Sequence, residues 1–424
     1  MPDTNAITSD AKAILSHAIN AMLPGEAVIK ALGSFELADP ITLIAIGKAA
    51  WQMANAAHNV LGDRITRGAV LTKYGHAQGA IGSLLILEGG HPISDTNGLS
   101  ATQKILSLTA NLTGKDTVLL LLSGGGSALF EAPAAGVTPD FLRKLNQQLI
   151  ASGADINEIN AVRKRFSAVK GGRFAQHCSP AAIRQIILSD IVGDNIENIA
   201  SGPAAADSTY ACSVQNIIKK YQIKIPLELM PLVNKETPKE IFNVRTAICG
   251  SVKGLCTEAA VKARKLGYNT GIITDSLGCD IEEAASLLAN EAHRIAKIDG
   301  EPCAMIMGGE ATVKLKGSGK GGRSQEFALI SAKLINGLKD TVILAAGSDG
   351  TDGPTDAAGG IVDGETWDII TKKGLNPTAL LESNSSYQAL SAANALIITG
   401  PTGTNVNDIM IMLHKKAAEN ENHR

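Results

Sequence analysis

Short apolar runs that end in glycine alternate along this chain with longer stretches whose apolar residues recur every three or four positions. "ITLIAIGK" leads into "AAWQMANAAHNVL", "TVLLLLSGGG" into a stretch opening near Pro139, and "IRQIILSD" into a loop. A continuous apolar run bounded by turn residues marks a strand buried on both faces, and the three-to-four repeat marks an amphipathic helix. The alternation therefore predicts βαβ layers with mostly parallel sheets. After residue 240 the rhythm returns as "RTAICG", a helix over Ser251 to Leu266, "NTGIITDS", a helix over Asp280 to Lys297, "CAMIMGG", a half-exposed strand in "ATVKLKG", and "TVILAAGSDG". Thr138 before Pro139 predicts a capped helix start, and Gly171 and Gly267 predict helix stops.

The least regular and most proline-marked stretch, residues 222–239, divides the chain near residue 240. A chain of 424 residues exceeds the size at which one core keeps growing. The expectation is two α/β domains, residues 1–240 and 241–424, with mostly parallel sheets, the active site in the interdomain cleft, and a last helix that packs back on the first domain. An apolar fraction of 45% with 19% charged residues suits a globular protein, and runs such as Val118 to Leu122 fall far short of a membrane span. The opening "MPDTNAITSD" has neither the basic segment nor the apolar stretch of an export signal, which predicts a cytoplasmic protein. A net charge of −2 offers no pull toward nucleic acid, and six scattered cysteines without a C-x-x-C pair argue against a zinc site or disulfide framework.

In parallel sheets ligands bind beyond the carboxyl ends of the strands, so the residues after each apolar run carry the chemical information. Those residues are Gly47 and Lys48; Ser123, Gly124, Gly125, Gly126 and Ser127; Ser189, Asp190 and Asp194; Gly308, Gly309 and Glu310; and the loop holding Asp349, Asp352 and Asp356. Each has a plain structural reading as well. Taken alone, Lys48 is a solvated lysine, Asp190 a helix cap and the aspartate loop a capped turn. "SGGGS" is either a tight turn or a concave nest of backbone N–H groups suited to phosphate. "VKLKGSGKGGRSQEFAL" fits the three-glycine dinucleotide fingerprint at Gly317, Gly319 and Gly322, and also a phosphate loop with Arg323 in place of lysine. The half-exposed strand before it, and the lack of an acidic residue about 20 positions on, count against a dinucleotide. Its backbone N–H groups, a helix starting at Ser324 and the fork of Arg323 still suit phosphate oxygens. No G-x-S-x-G or H-E-x-x-H occurs, and His91 in "EGGHPISD" reads as a residue making a structural hydrogen bond. Two cations, several aspartates and glycine nests at strand ends are what phosphoryl transfer requires, since it is mostly positioning and charge neutralisation.

Five stretches, "LLLLSGGGSALFEAP", "INEINAVRKRFSAVKGGRFA", "GGEATVKLKGSGKGGRSQEFAL", "AAGSDGTDGPTDAAGGIVD" and "TGPTGTNVND", resemble the glycerate 2-kinases in order, over residues 12–413. The resemblance implies a Rossmann-like glycerate kinase domain over 1–240 and a MOFRL-type α/β domain over 241–424. It further implies ATP-dependent phosphorylation of D-glycerate at its 2-hydroxyl, with Mg²⁺ or a similar ion. Carried over by motif, the catalytic residues are Lys48, Asp190 and Arg323. ATP is expected on Ser123, Gly124, Gly125, Gly126 and Ser127, and the metal on Asp190 and Asp349. Which of Lys48 and Arg323 meets the transferring phosphoryl group, and whether Asp190 is base or metal ligand, stay open. Ser324 stands where the family has asparagine, "GGEATV" where it has "GGETTV", and Ala206 where it has a proline that would stiffen the loop. The expected partners are D-glycerate and ATP, with a homodimer compatible and neither nucleic acid nor membrane. Members of the family have also been labelled hydroxypyruvate reductases, so an NAD(P)H-dependent reductase is the alternative, and a non-catalytic binder of phosphorylated metabolites a third.

Overall fold

The run "ITLIAI" is strand β1 (Ile41–Ile46), buried at every position, in a computed structural model that describes residues 4–298 and 300–416. Its sheet also holds β2 (Ile65–Lys73), β3 (Leu85–Gly89), β4 (Thr117–Leu122), β5 (Ala182–Leu188) and β6 (Val244–Gly250), in the order β3-β2-β1-β4-β5-β6. The pairings of β1 with β2 and β4, of β2 with β3, and of β4 with β5 are parallel. Crossover helices cover both faces of such a sheet, which is why β1 and β4 lack polar alternation. Ile44, Ile46, Leu71, Leu120 and Leu122 form its core with Phe130 and Phe174, whose rings meet edge to face at 5.2 Å. Helices Pro139–Ala151, Ile156–Arg165 and Ala211–Lys220 enclose a second core around Leu145, Leu149, Val162 and Phe166. The proline-marked stretch contributes Ile223, Leu229 and Val233 to that core, so it belongs to this unit, which comprises Pro24–Cys249.

The other unit joins Met1–Leu23 to Gly250–Arg424. Its sheet holds β7 (Asn269–Leu277), β8 (Cys303–Gly309), β9 (Thr341–Gly347), β10 (Gly359–Asp363), β11 (Leu396–Ile397) and β12 (Asp408–His414), in the order β11-β10-β9-β12-β8-β7. Only β7 and β8 pair in parallel; the pairings of β12 with β8 and β9, and of β10 with β9 and β11, are antiparallel. The expectation of parallel strands is thus corrected for this half. The reason is that β9 and β12 are buried at every position. On β12, Met410 and Met412 pack with helices Ile281–Ala296 and Arg323–Leu334, while Ile409 and Ile411 are also fully buried and helix Thr4–Ala21 packs on the same strand. Cover on both faces, rather than strand direction, removes polar alternation.

Helix starts follow the sequence closely: the side chains of Thr138, Ser251 and Asp280 accept from Phe141, Gly254 and Glu282 backbone N–H groups. Gly267, at φ +86°, follows the end of helix Val252–Lys265. One expectation fails. "ATVKLKG" joins no named strand; Val313 packs on the core, Leu315 is 85% exposed, and only an isolated bridge ties Thr312 to Asp280. The last helix expected at the C-terminus would follow β12, and residues after 416 lie outside those described. No helix among the described residues is long and apolar enough to cross a membrane.

Candidate active site

In the parallel unit the strand order reverses between β1 and β4, and such a switch point is where open α/β sheets place ligands. Gly47 turns the chain after β1 at φ +123°, and a Cβ there would lie 2.3 Å from Ser123 Oγ, so only glycine fits. Lys48 N–H then donates to Gly124 O at 2.8 Å and Ala49 N–H to Ser123 Oγ at 3.0 Å, locking the two loops together. Past this lock, the amides of Gly124, Gly125, Gly126 and Ser127 find no protein acceptor among the described residues. Bare, part-buried N–H groups in a turn with Gly125 at φ +85° form an anion-receiving concavity. Asp190, after β5, lies directly on it: a Cβ on Gly124 would sit 2.1 Å from Asp190 Oδ2. A Cβ on Gly125 would sit 3.2 Å from Lys48 Cγ and 3.0 Å from His91 Nε2. The structure therefore brings together Lys48, Asp190 and the 123–127 loop. Lys48 is half-buried, and its ammonium makes no ion pair among the described residues.

The signature "INEINAVRKRFSAVKGGR" supports this loop from behind. Ser127 and Ser201 hydroxyls meet at 2.9 Å, Ser201 donates to Asn160 Oδ1 at 3.1 Å, and Asn198 Nδ2 donates to Asn157 Oδ1 at 2.6 Å. Ala200 and Ser201 are both left-handed, at φ 50° and 60°, a conformation that costs of order 1–3 kcal/mol per residue and clusters at functional sites. The cations of the signature are structural. Arg165 is fully buried and donates to the carbonyls of Lys235 and Thr209, each at 2.7 Å. Lys170 is buried against Glu131. The loop with Ala206 in place of proline is fixed by other means, since buried Asp207 accepts from Lys164, Thr209 and Thr237.

The first part of the glycine-rich stretch before Arg323 is packed against a neighbouring loop, which counts against a phosphate cradle there. Its glycines permit close backbone approach: Cβ atoms on Gly317, Gly319 and Gly321 would lie 2.6, 2.2 and 2.2 Å from Ser383, Ser385 and Ser386. Several of its N–H groups are also engaged. Lys316 and Gly317 donate to Asn384 Oδ1, Gly319 to Ser383 O, and Ser324 and Gln325 to the buried Asp352 carboxylate at 3.2 and 2.8 Å. What this segment presents is the Arg323 guanidinium, held by Asp408 and Glu310 at 2.5 Å each.

Arg323 lines a cavity of about 680 Å³ with Glu310, Asp349, Asn405, Asn407 and Asp408. Burial works against its charge, but the bonds to Asp408 and the fields of Asp408 and Glu310 prevail and hold the guanidinium protonated more firmly than usual. Burial pushes the Asp408 carboxyl up to about 7, against the pull of Arg323. Carboxylates outnumber the single arginine, so the cavity suits a hard cation as well as a substrate. Among the described residues no three His, Cys, Asp or Glu side chains converge as a ready-made metal cage. Asp408, Asn405 and Asn407 were missed in the residue-by-residue reading, although "TGTNVND" was among the resembling motifs.

Residues 10–234 match the family described as "Domain of unknown function (DUF4147)", and residues 303–408 match the MOFRL family. The chain is similar to a D-glycerate 2-kinase of Thermotoga maritima, 45% identical over 416 residues that cover 97% of this chain and all of the relative. The crystal structure of a glycerate kinase from that organism matches with a TM-score of 0.93, over 97% of this chain and 100% of that one. An Agrobacterium vitis protein provisionally named a hydroxypyruvate reductase is 37% identical over 88% of this chain and 86% of its own length.

Proposed function

Because this chain belongs to the glycerate 2-kinase family, we propose that it transfers the γ-phosphoryl group of ATP to the 2-hydroxyl of D-glycerate, giving 2-phosphoglycerate and ADP. The observation that carries the site assignment is the meeting of Lys48, Asp190 and the bare amides of Gly124 to Ser127 at the switch point of the parallel sheet. The amides receive phosphate oxygens without reorganising, and the Lys48 ammonium offsets their charge. Asp190 orients the 2-hydroxyl and accepts its proton, or holds the metal ion. Arg323, kept cationic between two carboxylates, is equipped to neutralise a phosphoryl group or to hold the glycerate carboxylate.

The donor set fits Mg²⁺, which takes oxygen ligands and is usually held by one or two carboxylates plus substrate phosphates instead of an all-protein cage. In the Pro24–Cys249 unit Asp190 would hold it, and in the other unit Asp349 is the candidate carboxylate. When bound, the ion neutralises charge on the β- and γ-phosphate oxygens. The reading is compatible with a cytoplasmic location and with a homodimer, the latter tested by sedimentation.

Little favours the reductase alternative. The turn after β1 carries the lone Gly47 followed by Lys48 where a dinucleotide site needs three glycines, and the glycines near Arg323 are filled by Ser383 to Ser386. Incubation with D-glycerate, Mg²⁺ and ATP, with the product identified by ³¹P NMR, tests the assignment. A 2-phosphate ester is expected; consumption of NADH by hydroxypyruvate without ATP, or binding without turnover, would contradict it.

A further inference from the structure

His91 follows β3, whose last residue Gly89 pairs with Lys73 at the end of β2. The sequence reading gave His91 a structural hydrogen bond. None to its ring is found among the described residues, although Nε2 lies 3.0 Å from where a Gly125 Cβ would be. Positive charge gathers around it: Lys48 from the loop after β1, with Lys73 and His76 from β2 and the turn beyond, all act on it electrostatically. The nearby acids are engaged elsewhere. Glu88 accepts from Gly75 and Ala77 N–H groups at 2.9 and 3.2 Å, and Asp95 from Gly98 N–H at 2.8 Å and the Tyr74 hydroxyl at 2.5 Å. Asp190 lies at the neighbouring Gly124. Neither Lys48 nor Lys73 forms an ion pair among the described residues. A half-buried imidazole with no hydrogen-bond partner among the described residues, beside two ammonium groups that form no ion pair there, is equipped to receive an anion.

We propose that His91 is a ligand-contacting residue of this site, its Nε2–H donating to an oxyanion that Lys48 and Lys73 attract. The oxyanion is a phosphate of ATP or the carboxylate of D-glycerate. The inference rests on reading Gly124 to Ser127 as the seat of the phosphates. Burial, then Lys48, Lys73 and His76, hold the free imidazole below its usual range and so neutral at pH 7. A bound anion favours the imidazolium, so binding takes up a proton and tightens as pH falls.

The test compares His91→Leu, which removes the donor, with His91→Gln, which keeps one that cannot titrate, and with Ser127→Pro, which deletes one amide of the seat. KM for ATP and for D-glycerate and the dissociation constant for ATP are measured from about pH 5.5 to about pH 8.5, with melting curves as a check on folding. His91→Leu should weaken one of the two anions by about tenfold or more, the scale of a hydrogen bond to a charged group. Which one weakens identifies the oxyanion. His91→Gln should stay within about threefold near pH 7.5 and lose the pH dependence of the wild type. Equal losses in His91→Leu and His91→Gln, or no loss in either beside a weakened Ser127→Pro, would overturn the inference and leave the phosphate seat standing. Unchanged ATP binding in Ser127→Pro would remove the seat, and the inference with it.

Discussion

Lys48 and Arg323 reach similar chemistry by opposite routes. Lys48 is a half-buried ammonium with no counter-ion among the described residues, so removing it leaves little unpaired behind. Lys48→Ala should lower kcat by about 10²–10³-fold with an unchanged melting temperature, on the scale of a lost charge-stabilising donor; a near-normal kcat would end its assignment. Arg323 is embedded between Asp408 and Glu310, and Arg323→Ala should lower kcat by about 10³-fold or more. Gly124→Ala tests the placing of Asp190, because the new methyl would lie 2.1 Å from its carboxylate. Displacing that group by about 1 Å should cost about 10²-fold in kcat in a folded protein, and full activity would show that Asp190 is not where the chemistry occurs. Asp408 gives a pH signature. Burial raises its folded value to about 7, above the unfolded value of about 3.9, so the folded state holds its proton more tightly. That contribution to stability is complete below about pH 4 and is lost as pH rises through about 7. Melting curves from about pH 5 to about pH 8 should show the wild type losing stability relative to Asp408→Asn; parallel curves would contradict this.

Among elements, helix Arg323–Leu334 shows how a buried cap sets a functional side chain. Asp352 is 5% exposed and takes the N–H groups of Ser324 and Gln325 together with Gln325 Nε2. Asp352→Ala would strand those donors in the interior, at about 1–3 kcal/mol, and free the turn that aims Arg323. Denaturant unfolding should show that loss and kinetics a parallel fall in kcat; a drop in activity with unaltered stability would point to direct participation of Asp352 instead. The capped helix starts at Thr138, Ser251 and Asp280 were legible because capping is local chemistry. The stretch from Gly317 to Gly321 read as a phosphate loop because a glycine that lets two backbones touch and a glycine that bares its amide to phosphate look alike in sequence. Only the partner across the gap, Ser383 to Ser386, separates them. By contrast "SGGGS", open in sequence between a tight turn and a nest, follows a wholly buried parallel strand.

For the whole molecule, the sequence disclosed an α/β chain with parallel strands, and the first sheet follows that reading. The direction of strands in the second sheet was hidden, because burial of β9 and β12 at every position erased the alternation that distinguishes antiparallel strands. The membership of residues 1–23 in the unit begun again at Gly250 was hidden too, since it depends on contacts distant in sequence. If the bare amides after β4 are the seat of the nucleotide, ATP must bind and stabilise the folded protein, by about 2.7 kcal/mol at a hundredfold excess over its dissociation constant. Assignment of the backbone amide resonances and titration with Mg²⁺ and ATP addresses that seat directly. The amides of Gly124, Gly125, Gly126 and Ser127 should move together and more than those of Gly317 to Gly322; shifts centred on Gly317 to Gly322, with the first group unmoved, would contradict the proposed site.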